Sequence, residues 1–142
     1  MTIFPTRILL ATDGSREAEL ASRTAVDLAN SHDSELHVVY VEPALPMIDQ
    51  FADTGPERTT PESRQLLDEQ VRLIEEAGGA VAEAHLRLGR PDDQIVRVSE
   101  ELDVGLIVIG SRGHGGVRRA LMGSVSDSVV RHAHCPVLVV RE

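Results

Sequence analysis

The residues best suited to chemistry lie between 104 and 126, where the chain reads Val104-Gly-Leu-Ile-Val-Ile-Gly-Ser-Arg-Gly-His-Gly-Gly-Val-Arg-Arg-Ala-Leu-Met-Gly-Ser-Val-Ser126. Leu106 to Ile109 is apolar at every position, the pattern of a parallel strand buried on both faces. Gly110, Gly113, Gly115 and Gly116 follow, and then Gly123-Ser124. Val125, Val129 and Ala133 recur at helical spacing, which places Gly123-Ser124 at a helix start. A strand, a glycine loop and a helix N-terminus suit an anion, because backbone N–H groups converge there unobstructed by side chains. Arg112, Arg118 and Arg119 add positive charge; adjacent residues on a helix diverge, so at most one of the last two is expected on a phosphate.

The spacing Gly110-x2-Gly113-x9-Gly123-Ser124 is neither a Walker loop nor the dinucleotide pattern G-x-G-x-x-G. All 14 cationic side chains are arginine. Without lysine, Schiff-base chemistry and a phosphate-loop lysine are both excluded. A cation facing phosphate must be arginine or a metal ion.

A second chemical stretch is Thr12-Asp13-Gly14-Ser15. Asp13 suits a nucleotide or a metal, or else a turn in which its carboxylate binds nearby backbone. Ser124 suits a phosphate, a bound Mg²⁺ or a helix cap. His114 reads as a solvated loop residue. His132, His134 and Cys135 resemble a metal set on paper, but they straddle a helix end and a strand start, so a structural role is expected.

The elements that must position these residues alternate regularly. Arg7 to Ala11 is a short buried strand. Ser15 caps a helix with Glu17 and Glu19 in its first turn and Ala18, Ala21, Ala25 and Leu28 on one face, ending near Asn30. Leu36 to Val41 is the second strand, and residues 43 to 60 form a long loop. Thr60 caps the next helix, with Pro61 in its first turn, a stripe of Leu67, Val71 and Ile74, and Gly78-Gly79 at its end. Ala82 to Leu88 alternates apolar residues with Glu83, His85 and Arg87, a half-exposed strand. Gly89-Arg-Pro91 leads into a helix carrying Ile95, Val98 or Ser99, and Leu102. The glycine loop's strand comes next, and Pro136 to Val140 closes the chain as the fifth strand.

This alternation predicts an α/β fold: an open, Rossmann-like, five-stranded parallel sheet with helices on both faces. Orders 3-2-1-4-5 and 2-1-3-4-5 compete. The second centres the polar-alternating third strand, whereas the first puts it at an edge where Glu83, His85 and Arg87 reach water. The expected order is therefore 3-2-1-4-5. It reverses between strands one and four, and ligands in such sheets bind at that point. The two chemical loops meet there.

The 142 residues are expected to form a single domain, 1–142, with a core of its own. Hydrophobic residues make up 42%, an ordinary globular proportion. A net charge of −9 opposes non-specific nucleic-acid binding, and three aromatic residues, Phe4, Tyr40 and Phe51, offer no base-stacking platform. No transmembrane-length run and no signal-peptide pattern are present, and Cys135 is alone. No membrane partner and a cytoplasmic location are expected.

The glycine spacing resembles the phosphate-binding signature of the universal stress protein family, in its ATP-binding branch. The resemblance extends to Arg7-Ile-Leu-Leu-Ala-Thr-Asp-Gly-Ser15, Val39-Tyr-Val41 and His134-Cys-Pro-Val-Leu-Val-Val140, and is colinear throughout except at 43–60. It implies an ATP site. Ala11, where many ATP-binding members carry proline, would surround adenosine with Thr12, Asp13 and Val41. Gly110, Arg112, Gly113, His114 and Gly115 would wrap ribose and phosphates. Gly123, Ser124, Val125 and Ser126 would hold the phosphate tail, with Mg²⁺ or Mn²⁺ on the phosphates near Asp13 and Ser124.

Three functions fit the sequence: a nucleotide-binding regulatory or stress protein, an ATP-hydrolysing or nucleotidyl-transferring enzyme on the same fold, and a dimeric interaction module without nucleotide. The first is expected. No general base stands out, so turnover is expected to be slow at most. A homodimer through Val137 to Val140 is also expected. That apolar run would lie at a sheet edge, where unpaired backbone groups invite another strand; the family resemblance implies the same contact.

Overall fold

The computed structural model describes residues 6–44, 58–111 and 123–142. The elements run β1 (Arg7–Ala11), α1 (Arg16–His32), β2 (Glu35–Pro43), α2 (Pro61–Glu76), β3 (Val81–Gly89), α3 (Pro91–Glu101), β4 (Leu106–Gly110), α4 (Ser124–His132) and β5 (Val137–Val140). The sheet has five strands in the order β3-β2-β1-β4-β5, and every pair is parallel.

Burial on both faces explains the unbroken apolar strands. Successive side chains point to opposite faces. Ile8, Leu10, Val38 and Val108 pack on one side with Ala21 and Ala25 of α1 and Leu67 and Ile74 of α2. Leu9, Val39, Ile107 and Ile109 pack on the other with Ile95 and Val98 of α3 and Val129 of α4. Each fully buried leucine or isoleucine here contributes about 1.5–3 kcal/mol.

Local chemistry sets the helix ends. The Ser15 hydroxyl accepts from the Ala18 amide at 3.2 Å, capping α1. At the other end α1 continues past Asn30 to His32, because Asp33 adopts the left-handed conformation (φ 55°) that closes the helix. Thr60 caps α2 through the Ser63 amide at 3.2 Å. The Thr60 amide and hydroxyl donate to Glu42 at 2.9 and 2.6 Å, and the Ser63 hydroxyl donates to it too. Ser63 first, then Thr60, hold the Glu42 carboxyl below its ordinary value. The start of α2 is thereby fastened to the end of β2, and β2 runs on to Pro43 alongside β3.

Strand β3 is at the edge, as its polar alternation requires, but His85 does not reach water. Its side chain is 14% exposed and its Nε2 faces Nδ1 of buried His37 at 3.4 Å. Both α2 and α3 pack on β3, so the edge strand has covered faces. That cover does not extend to the start of the strand, where Ala82 and Ala84 are exposed and the expected alternation of burial is lost.

Helix α1 lies unusually close to the centre of the sheet. A Cβ on Gly110 would sit 2.9 Å from the Glu17 carbonyl carbon, 3.0 Å from its oxygen and 3.1 Å from the Ala18 nitrogen. Backbone cannot yield as a flexible side-chain tip does. We expect Gly110→Ala to cost about 1–3 kcal/mol, read as a lowered melting temperature; an unchanged melting temperature would contradict this packing.

Candidate functional site

The strand order reverses between β1 and β4, and a cleft of about 270 Å³ opens there at the carboxyl ends of the strands. Ala11, Thr12 and Asp13 reach it from the end of β1, Val41 from β2, and Gly110 from β4. Gly123, Ser124, Val125 and Ser126 line it from the start of α4. Two loops far apart in the chain thus form one wall. Arg112, Gly113, His114 and Gly115, with Arg118 and Arg119, lie outside the described residues, as does most of the 43–60 loop.

The turn after β1 is built by its own polar groups. The Asp13 carboxylate accepts from the Ser15 amide at 2.9 Å, and the Thr12 hydroxyl accepts from Gly14 at 3.3 Å. Gly14 has φ +79°, a conformation costly for other residues. The turn-forming role of Asp13 is therefore real, and its carboxylate still borders the cleft. The Thr12 amide donates to the Val39 carbonyl at 3.0 Å, which ties this turn to β2.

Ser111 gathers the two ends of the glycine loop. Its amide donates to the Val140 carbonyl at 2.8 Å, and its hydroxyl donates to the buried carboxylate of Glu17. Its carbonyl accepts from the Gly123 amide and from the Ser126 hydroxyl at 2.6 Å. The N-cap of α4 is Gly123, with Ser124 the first helical residue, so Ser124 is not the cap. Ser124 is exposed, whereas the Ser126 hydroxyl is turned to the protein. The opening N–H groups of α4 have no intrahelical acceptors, as at any helix start.

Other lining residues escaped the sequence reading. Val39, Tyr40 and Pro43 come from β2, and Pro91 and Ile95 from α3. Ile95 was legible as a core residue but not as a wall, because nothing local says that α3 covers the same end of β2. The cleft is apolar where β2 and α3 meet and polar at the β1 turn and the α4 start. That division suits a ligand with a flat apolar part and a charged tail.

Asp92 joins the two helices beside the cleft. Its carboxylate accepts from Arg90 at 2.7 Å and from the Ser128 hydroxyl of α4 at 2.7 Å. Arg90 chiefly, with Ser128, holds its pKa down at about 2. His132 and His134 are exposed and Cys135 is half-buried. They do not gather as metal ligands; His132 faces the Ser128 carbonyl and His134 lies 3.6 Å from Glu100. Burial pushes the Cys135 thiol pKa up, which favours the thiol over the reactive thiolate.

These features have close parallels in known proteins. The sequence profile of the Universal stress protein family matches residues 5–141. Universal stress protein MJ0531 of Methanocaldococcus jannaschii is 33% identical over 140 residues, covering 96% of this chain and 82% of that protein. The solved universal stress protein UspA from Lactobacillus plantarum superposes with a TM-score of 0.79 at 24% identity, covering 99% of this chain and 100% of its own, a likeness of fold. The universal stress protein from Archaeoglobus fulgidus, solved in complex with dAMP, has a TM-score of 0.70 at 28% identity, with 98% and 99% covered. This chain belongs to the universal stress protein family.

The Asp92 pairing gives a pH test. A carboxylate with a lowered folded pKa stabilises the fold above its unfolded pKa, and the contribution disappears as pH falls through the folded value. Arg90 is largely solvated, so the contribution is about 1 kcal/mol. Asp92→Asn should be less stable than the wild type by about that amount at pH 7, with the gap narrowing from about pH 4 towards pH 2. Urea unfolding at several pH values checks this; a gap independent of pH would contradict it.

Proposed function

We propose that the chain is an ATP-binding universal stress protein, a regulatory nucleotide-binding module of the stress response. One observation carries the reading. Nine residues singled out from sequence, Ala11 to Asp13, Val41, Gly110 and Gly123 to Ser126, line a single cleft at the switch point. Support comes from the Archaeoglobus fulgidus relative solved with dAMP. In this reading the adenine lies against Val39, Val41 and Ile95, and the phosphates approach the N–H groups at the start of α4. Asp13 and Ser124 supply oxygen donors, the ligand type that Mg²⁺ and Mn²⁺ prefer. Such an ion would neutralise phosphate charge.

The reading is of a binding module and not an enzyme. The Asp13 carboxylate accepts the Ser15 amide, and the Glu17 carboxylate, buried behind Ser111, accepts that hydroxyl. Neither is placed as a free base for an attacking water.

Ser124→Glu separates binding from folding. Ser124 is exposed, and an acid in the first turn of a helix favours the fold. The same charge repels a polyphosphate. Calorimetric titration with Mg·ATP should show binding by the wild type and affinity reduced about tenfold or more in the variant. Absence of wild-type binding at millimolar ATP, or equal affinity in the two proteins, overturns the proposal.

We further propose a homodimer paired through β5. That strand is at the sheet edge, and Leu138 is 36% exposed. Pairing β5 with its copy about a two-fold axis would satisfy its outer backbone groups. Val139→Pro removes a donor and disfavours pairing. Analytical ultracentrifugation should find a wild-type dimer and a variant shifted towards monomer; a monomeric wild type at micromolar concentration defeats the proposal.

A further inference from the structure

Where β2 pairs with the edge strand β3, His37 of β2 and Glu83 and His85 of β3 come together outside the cleft lining. His37 Nδ1 lies 3.4 Å from His85 Nε2 and 3.8 Å from Glu83 Oε1. His85 Nε2 is 3.6 Å from the same carboxylate oxygen. A tetrahedral ion with bonds of about 2.0–2.1 Å holds its ligands roughly 3.3–3.4 Å apart. The three atoms are thus within a few tenths of an ångström of the spacing that a metal imposes.

The backbone makes this meeting by a register shift. Leu36 pairs with Val81, but His37 pairs with Glu83, so Ala82 is the extra residue of a bulge. Without the shift Glu83 would stand opposite Val38 and point to the other face of the sheet. The bulge puts Glu83 and His85 on the face of His37.

We infer that His37 Nδ1, His85 Nε2 and Glu83 form a binding site for a divalent transition cation, Zn²⁺ by ligand chemistry. Two imidazoles and one carboxylate with a fourth position for water are a recurrent zinc set. Mg²⁺ and Ca²⁺ prefer all-oxygen ligands and do not suit it. Glu35 completes the arrangement: its Oε1 lies 3.4 Å from His37 Nε2. There a carboxylate fixes the tautomer that leaves Nδ1 free to ligate, as outer partners of metal-bound histidines do.

The two rings face each other nitrogen to nitrogen, with centroids 5.7 Å apart. The ring planes are inclined by 25°, and χ2 is the soft torsion through which each ring would turn its lone pair towards a shared ion. His37 is 5% exposed, whereas Glu83 is 63% exposed at the side chain and gives the ion a way in. Arg7 and Arg87 are the nearby cations, and each is engaged with a carboxylate, Glu35 and Glu101 respectively. Bound there, the ion would clip the edge strand β3 to β2.

The test uses full-length protein stripped with chelator and titrated with ZnCl₂ alone, without nucleotide. The wild type should take up one equivalent that His132→Ala/His134→Ala leaves intact. His85→Ala should weaken this binding about a hundredfold, and Glu83→Gln, an exposed change that preserves folding, at least tenfold. Co²⁺ bound to the wild type should give the visible absorption of a four-coordinate site, lost in Glu83→Gln. Absence of stoichiometric Zn²⁺ uptake by the wild type overturns the proposal, as does unchanged affinity in folded Glu83→Gln. Mg·ATP binding is read separately and bears on the cleft alone.

Discussion

Everything in this fold hangs on β1 pairing with β2 on one side and β4 on the other. Ile8, Leu9 and Leu10 are fully excluded from water, and they alternate between two cores. Neither core is complete without the other face of the same strand. Parallel pairing forces each connection to cross over the sheet, which is why helices cover both faces. It also brings all strand carboxyl ends to one edge, where their turns must share space. The reversal of strand order between β1 and β4 leaves a gap between those turns, and that gap is the cleft.

The cleft wall is therefore held by the core. Ser111 follows β4 directly and collects the amide of Gly123, the hydroxyl of Ser126 and its own link to Glu17. Glu17 is in the first turn of α1, the helix that Gly110 admits at backbone distance. Packing at Gly110, the buried carboxylate and the start of α4 are consequently coupled. A glycine that reads as a phosphate contact is also required by the helix behind it. One residue can satisfy both demands, since each needs the same absence of a side chain.

The β3 side of the sheet follows a different logic. There the sheet edge must be managed, and β3 does so with a bulge, exposed Glu83 and covering helices. The bulge converts a residue that would face one side into a partner for His37 on the other. Histidines and a carboxylate collect on that face as a result, and this cluster shares no residue with the cleft.

Much of this was legible in the chain. Unbroken apolar runs at 8–11 and 106–109 gave doubly buried strands, since only a strand covered on both faces has no polar position. Ser15, Thr60 and Pro61 marked helix starts through groups that satisfy orphan amides locally. The polar alternation of β3 ruled out the centre of the sheet and so selected the strand order, and the order brought Asp13 and Ser124 to one place. What the sequence did not disclose depends on contacts between distant segments. The pinning of Gly123 to Ser111, the wall made by Ile95 and Pro91, and the facing of His37 and His85 arise only when strands and helices pack. Hydrophobic period reports which face is buried, but not what lies against it. The bulge at Ala82 is the sharpest case: one residue of register, invisible to a two-residue period, decides which face Glu83 occupies.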